Sequence, residues 1–267
     1  MKRKPAVAGQ FYSSNPSDLS DEVSGYLEKI DDKQKAIGVI SPHAGLMYSG
    51  SVAGAVFSRI EIPRTFIVLS PNHTGLGSPV SIMSQGVWEV PTGELEIDEK
   101  ISSELLKHCR LIEDNSLAHQ MEHSIEVQLP FIIQISPDAR IVPVTMITDS
   151  LETCRVLGES LADVIDSTGY DVTIVASSDM THYEEDSVAR SLDRMAIDRV
   201  LALDPEGLFN VVKDENISMC GFGPATAMLF AAKKLGAQRA ELVKYMTSGE
   251  TSGDYNHVVG YAGMIIS

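Results

Sequence analysis

Apolar runs rich in β-branched residues recur along the chain and alternate with longer stretches in which apolar positions return every three or four residues. That alternation is the sequence form of strand–helix–strand units, because parallel strands need a helix-length crossover between them. Six main strands are predicted, at about Ala36–Ser41, Thr65–Ser70, Arg140–Met146, Asp171–Ala176, Ala240–Met246 and His257–Ile265. Ile37-Gly38-Val39-Ile40 and Phe66-Ile67-Val68-Leu69 are nearly continuous apolar runs, as strands buried on both faces should be. A shorter pair, Val80–Met83 and Val87–Val90, reads as antiparallel and peripheral. Helices are predicted over Pro16–Lys29, Gly50–Arg59, Asp98–His108, Glu122–Ile135, Leu151–Ser167, Ser187–Ala202, Pro205–Asn216 and Pro224–Leu235. Ser20-Asp21 and Asp149-Ser150 offer oxygens to cap helix starts, and Gly236 ends the last helix. No repeat, low-complexity tract or linker divides the chain. The expected architecture is one α/β domain over residues 1–267, with a mostly parallel central sheet flanked by helices on both faces.

Composition narrows the picture. With 43% hydrophobic residues in 267, the chain can bury a sizeable core. Acidic residues outnumber basic ones by 37 to 21, for a net charge of −16, which argues against a nucleic-acid partner, since phosphate backbones are bound by clustered Lys and Arg. The basic start Met1-Lys2-Arg3-Lys4 leads into Pro5-Ala6-Val7-Ala8-Gly9 and not into a long apolar run, so neither a signal peptide nor a membrane span is expected. The cysteines Cys109, Cys154 and Cys220 are scattered without paired spacing, which speaks against a disulfide framework and for a reducing cytoplasm. Each reads as a small apolar filler.

Candidate chemistry gathers where strands end. In an open α/β sheet, ligands bind beyond the carboxyl ends of the strands. Here those ends run into Ser41-Pro42-His43-Ala44-Gly45, Ser70-Pro71-Asn72-His73-Thr74-Gly75 and Ser177-Ser178-Asp179-Met180-Thr181-His182-Tyr183. Histidines at three equivalent points suggest a shared polar pocket. Imidazole nitrogens suit Fe, Zn, Cu and Ni, and two histidines with one carboxylate form the facial triad of non-haem Fe(II) oxygenases. His43 and His73 are the candidate metal ligands, and the loop Thr247–Asp254 offers Glu250 or Asp254 as the carboxylate, although a solvated turn explains that loop equally well. His182 lies three residues after Asp179, near enough for the carboxylate to orient the imidazole as a catalytic base or acid, or simply to cap the turn.

Two further motifs compete. His119-Gln120-Met121-Glu122-His123 matches the inverted zinc-protease string, in which two histidines on one helical face bind zinc and the Glu activates water. The plainer reading is a helix whose amino end borders the pocket, with Glu122 and Glu126 favoured there by the helix dipole. Gly221-Phe222-Gly223-Pro224 can present backbone N–H groups to an anion, or serve only as a turn with Pro in the first helical turn.

Taken together, Arg3-Lys4-Pro5-Ala6-Val7-Ala8-Gly9-Gln10-Phe11-Tyr12, Ser41-Pro42-His43-Ala44-Gly45, Ser70-Pro71-Asn72-His73, Glu122-His123-Ser124-Ile125-Glu126-Val127-Gln128-Leu129-Pro130 and Ser178-Asp179-Met180-Thr181-His182-Tyr183 resemble the Memo family, named for a eukaryotic mediator of receptor-driven cell motility. The resemblance implies a fold similar to the class III extradiol dioxygenases, whose site holds Fe(II) with two His and one Glu and uses another His as acid and base. By motif, His43 and His73 match the first two ligands, and His182, with Asp179 beside it, matches the acid/base histidine. Eukaryotic members supply a Cys as third ligand, and counting back from Val259-Gly260-Tyr261-Ala262-Gly263 puts that position near Thr251, where this chain has none. Either Glu250 substitutes as the carboxylate, with Fe(II), or else Zn or Cu, as the metal, or metal binding is weak or absent. Prokaryotic relatives are associated with a radical-SAM enzyme, which implies such a partner.

The leading expectation is therefore a metal-dependent redox enzyme, dioxygenase-like in its site and acting on a small molecule or peptide. The alternatives are a binding or adaptor protein that uses the pocket for a peptide or small anion, and a zinc hydrolase built on His119, Glu122 and His123.

Overall fold

The computed structural model describes residues 1–148 and 150–267. Its strands are β1 Lys2–Arg3, β2 Gly38–Ser41, β3 Thr65–Pro71, β4 Val80–Ile82, β5 Val87–Val90, β6 Gly93–Glu96, β7 Glu113–Asp114, β8 Arg140–Met146, β9 Val172–Ser177, β10 His182–Glu184, β11 Ala240–Thr247 and β12 Val258–Ile266. Its helices are α1 Pro16–Tyr26, α2 Leu46–Arg59, α3 Glu99–His108, α4 Leu129–Ile135, α5 Leu151–Thr168, α6 Asp186–Leu201, α7 Pro205–Asp214, α8 Phe222–Lys234 and α9 Gly249–Ser252. All six predicted main strands are present, within two residues of their expected bounds.

The main sheet runs β10-β12-β2-β9-β3-β8-β4-β7, with β11 also paired to β12. Its centre is parallel: β9 lies between β2 and β3, and β8 continues from β3. The flanks are antiparallel, with β12 against β2 and β4 against β8. Side chains of a strand alternate between faces, and the two apolar cores show it. Ile40, Ile67, Leu69, Val142, Val144, Ile174 and Ala176 join residues of α3, α5, α6, α7 and α8. Val39, Phe66, Val68, Ile141 and Val175 join residues of α1, α2 and α4. The sheet is thus covered on both faces, and Ser41, Pro71 and Ser177 end neighbouring parallel strands at one edge.

Four local expectations are corrected. Val80–Ile82 and Val87–Val90 do not pair with each other. The first joins the main sheet, whereas the second pairs with β1 and β6 in a separate three-stranded sheet. Gly86, at φ +110°, separates them, and a Cβ there would meet Met1 O at 2.1 Å, so the amino-terminal strand passes through the gap. Helix α2 starts at Leu46, before Gly50, because Gly50 and Gly54 are the points at which Tyr26 packs against it; a Cβ on Gly54 would meet Tyr26 O at 2.3 Å.

The cap of α1 is Asn15, whose Oδ1 accepts from Ser17 N and Asp18 N, and Ser20-Asp21 lies inside the helix. Ser150 caps α5 through Thr153 N. Asp149 falls outside the described residues. The predicted helix Glu122–Ile135 is regular only from Leu129 and is preceded by a 3-10 turn at Glu126–Gln128. Arg3 explains the shortening: its Nε and Nη2 take the carbonyls of His119 (3.0 Å) and Glu122 (2.6 Å), and the Glu122 carboxylate bonds Ser124 N in a local turn. Among the described residues, no helix is long and apolar enough to cross a membrane.

Helices α5 and α8 approach most closely at Gly158, where a Cβ would meet Ala227 O at 2.3 Å and Phe230 Cβ at 2.6 Å. Gly158→Ala should therefore lower the unfolding free energy by about 1–3 kcal/mol despite the better helix propensity of Ala. Urea denaturation measures this, and an unchanged midpoint would contradict a close backbone approach.

Candidate metal centre

His43 follows β2, His73 follows β3, and His123 lies in the turn before the 3-10 helix that leads into α4. The fold brings these three rings together: each offers a nitrogen within 4.8 Å of the others. Ring centroids are 5.4 Å apart for His43 and His73, 5.5 Å for His43 and His123, and 4.6 Å for His73 and His123. Among the described residues this is the one group of His, Cys, Asp or Glu side chains arranged to hold a metal ion.

Hydrogen bonds behind the rings decide which nitrogen faces inward. Ser177 Oγ donates to Ser124 O (2.7 Å) and accepts from Gln128 Nε2 (2.8 Å), so at 2.9 Å from His43 Nδ1 it can only accept. His43 is therefore the Nδ1–H tautomer, with a lone pair on Nε2. His73 is fixed the same way. Its Nδ1 donates to Glu122 Oε1 (3.0 Å), while its backbone N donates to Glu122 Oε2 (2.6 Å). A carboxylate behind an imidazole fixes the ring and raises its basicity, the usual arrangement behind a metal-bound histidine. Burial, followed by the neighbouring imidazoles of His123 and His73, holds the His43 pKa well below the ordinary histidine range, and burial also lowers that of His123. Both rings are thus neutral, the form in which imidazole binds a cation. The donor set fits a metal ion.

Cys220, at the approach to α8, reads in sequence only as a small apolar filler, yet its Sγ lies 3.3 Å from His43 Nε2 and accepts from Asp179 N at 3.3 Å. Burial pushes its thiol pKa up, so the sulfur is protonated. A cavity of about 230 Å³ reaches His73 and Cys220 between Pro71, Met146, Phe222 and Pro224.

Asp179 is buried, and its Oδ1 accepts from His43 N (2.8 Å) and Ala44 N (3.3 Å). It holds the His43 loop. His182 is oriented instead by Ser218, whose carbonyl lies 2.9 Å from Nδ1 and whose hydroxyl accepts from the His182 backbone N at 2.7 Å. Its ring stands within electrostatic reach of Asp179 and His43. Glu250 is not brought to the imidazoles: its Oε1 accepts from Arg190 Nη2 at 2.7 Å. Asp254 accepts from Asn256 N, and Thr251 is exposed. His119 is buried against Trp88, with ring centroids 5.8 Å apart, and stands outside the cluster. The zinc-protease string needs a helix through these residues, and the chain forms a turn there.

A family profile described as Memo-like protein matches residues 3–265. The chain is 42% identical to a MEMO1 family protein of Methanopyrus kandleri over 99% of both chains, and 41% identical to one of Methanothermobacter thermautotrophicus over 98% of this chain and 99% of that one. Among solved structures, an uncharacterized protein from Escherichia coli K12 is similar in fold, with a TM-score of 0.57 at 11% identity over 86% of this chain and 100% of the other.

The Glu122 carboxylate gives this site a measurable pH signature. Burial raises its pKa, but hydrogen bonds from His73 and Ser124 and the charge of His73 outweigh burial and bring it from 4.5 to about 2. A depressed carboxyl pKa stabilises the fold above the unfolded value and ceases to do so as pH falls through the folded one. Wild type should exceed Glu122→Gln in stability by on the order of 3 kcal/mol at pH 6, and the difference should shrink as pH falls from about 5 toward 2. Denaturant titrations across that range report it; a gap independent of pH would rule out the charge of Glu122 as its source.

Proposed function

The chain belongs to the Memo family, and from that premise we propose that its imidazole cluster is a metal-dependent redox centre, with Fe(II) held by His43, His73 and His123. The observation that carries this reading is the inward lone pair on the Nε2 atoms of His43 and His73, set by Ser177 and Glu122. Fe(II), when bound, supplies electrons for oxygen-dependent chemistry and a charge that polarises a coordinated group.

The chain's own residues do the rest. Glu122 and Ser177 keep the rings in register, and Asp179 fixes the backbone of His43 and Ala44. His182, with Nδ1–H held by Ser218 O, can accept a proton at Nε2 from a ligand beside the cluster and return it later. The cavity between Met146 and Phe222 admits an organic group next to His73 while limiting water around it.

One observation favours a second reading, a recognition pocket without turnover. The Cys220 thiol satisfies His43 Nε2 without any cation.

Anaerobic Fe(II) titration followed by metal analysis separates the two. The redox reading expects one equivalent of tightly bound iron, lost by about a hundredfold or more in affinity in His43→Ala, His73→Ala and His123→Ala, and retained in His182→Ala and Glu250→Ala. Absence of high-affinity iron in the parent protein would sink it in favour of recognition, and a loss in Glu250→Ala equal to that in His123→Ala would overturn the assigned ligand set.

A further inference from the structure

A second, larger cavity of about 580 Å³ lies beside the cluster and is not used by the function proposed above. Phe11 forms part of its wall, and the Phe11 ring lies 4.8 Å from that of His123. Leu46 N donates to Phe11 O at 2.8 Å, which seats this amino-terminal loop on the start of α2. The wall also contains Tyr12, Tyr48, Met47 and Glu22. Tyr12 spends its hydroxyl on Glu126 and is buried, so it closes the back of this wall.

The chemistry of this lining is one-sided. Aromatic faces carry negative quadrupole density and attract cations, most strongly organic cations that shed water easily. Glu22 is the single carboxylate among the lining residues, and they include no Lys or Arg. It is half-buried and takes a hydrogen bond from the Ser13 backbone; among the described residues no cation stands beside it. A carboxylate partly withdrawn from water attracts a positive group more strongly than a fully solvated one does. The net charge of −16 adds a field that draws cations toward the molecule and repels anions.

We propose that this cavity is a binding site for an organic ammonium ion, held by the Glu22 carboxylate together with the aromatic side chains of Phe11 and Tyr48 in its wall. The proposal rests on the cavity lining and not on metal binding. If the redox function also holds, the bound ion lies one aromatic ring from the cluster, and the remainder of the same molecule can extend past Phe11 toward His123.

Isothermal titration of the metal-free full-length protein tests the proposal with three probes: choline; dimethylbutanol, its uncharged carbon isostere; and acetate. Choline should bind saturably, dimethylbutanol about tenfold or more weaker, and acetate not at all. Glu22→Gln should weaken choline by about tenfold and leave dimethylbutanol unchanged. Tyr48→Leu should weaken choline by roughly two- to thirtyfold, the range for one ring face. The double variant His43→Ala/His73→Ala should bind choline as the parent does, so failure of the metal centre and failure of this site are told apart. Equal binding of choline and dimethylbutanol, no saturable choline binding, or a Glu22→Gln variant that binds choline undiminished would each overturn the proposal; the probe comparison on the parent protein does not depend on any variant folding.

Discussion

Arg3 and Glu126 form an ion pair with almost no access to water, and the geometry of the histidine cluster depends on it. Burying two opposite charges is favourable only if their remaining donors and acceptors are also engaged. Arg3 gives two further N–H groups to the carbonyls of His119 and Glu122 and lies over the Trp88 ring, 4.4 Å from its centroid. Glu126 takes Ala6 N at 2.8 Å, Val7 N at 3.1 Å and the Tyr12 hydroxyl. Two segments more than a hundred residues apart in sequence are thereby locked in register. Loss of either partner would leave an uncompensated buried charge, so the register is specified more sharply than apolar packing alone would specify it.

From that lock the order passes to the imidazoles. Holding the Glu122 carbonyl keeps residues 120–125 out of a helix and turns the Glu122 carboxylate onto His73. The same segment supplies His123 itself, the Ser124 carbonyl that receives the Ser177 hydrogen, and the Gln128 amide that leaves Ser177 only an acceptor role toward His43. Three strand ends and one irregular loop therefore fix tautomers as well as positions. Burial lowers the pKa of His43 and of His123, and the hydrogen bonds behind His43 and His73 set which of their nitrogens faces inward.

This division explains what was legible in the sequence. Strand ends are written locally, as an apolar run followed by Ser-Pro and His, so His43 and His73 could be found from pattern, as could the α/β layering with helices on both faces. His182 was also marked by its loop, although Ser218 and not Asp179 orients it, because Asp179 is already engaged by the His43 and Ala44 backbone. His123 was hidden by an apparent helix: the string Glu122–Ile135 has helical spacing, and only the distant Arg3 removes its first turn. Cys220 carried no paired spacing, and its approach to His43 depends on the packing of α8. Glu250 was chemically suitable, but Arg190 holds its carboxylate elsewhere. Each miss reflects a long-range partner that no local pattern encodes.

The ligand set has a chemical consequence. His43 and His123, whose pKa values burial lowers, and the protonated thiol bring no formal charge to the cluster, and the carboxylate expected from sequence does not reach it. Negative charge is set back instead, with Glu122 behind His73 and Asp179 behind the His43 backbone. A carboxylate in direct contact would cancel part of a cation's field, whereas one acting through an imidazole strengthens the nitrogen donor and leaves that field to act on a ligand. Burial and the nearby Asp179 charge both raise the pKa of the Cys220 thiol, so it stays protonated beside His43. Hard cations such as Mg and Ca gain little from sulfur and prefer oxygen ligands, which this cluster does not offer directly; borderline and softer transition metals gain from both nitrogen and sulfur. A metal ion held by His43, His73 and His123 would therefore meet nitrogen donors, which favour borderline transition metals over hard cations.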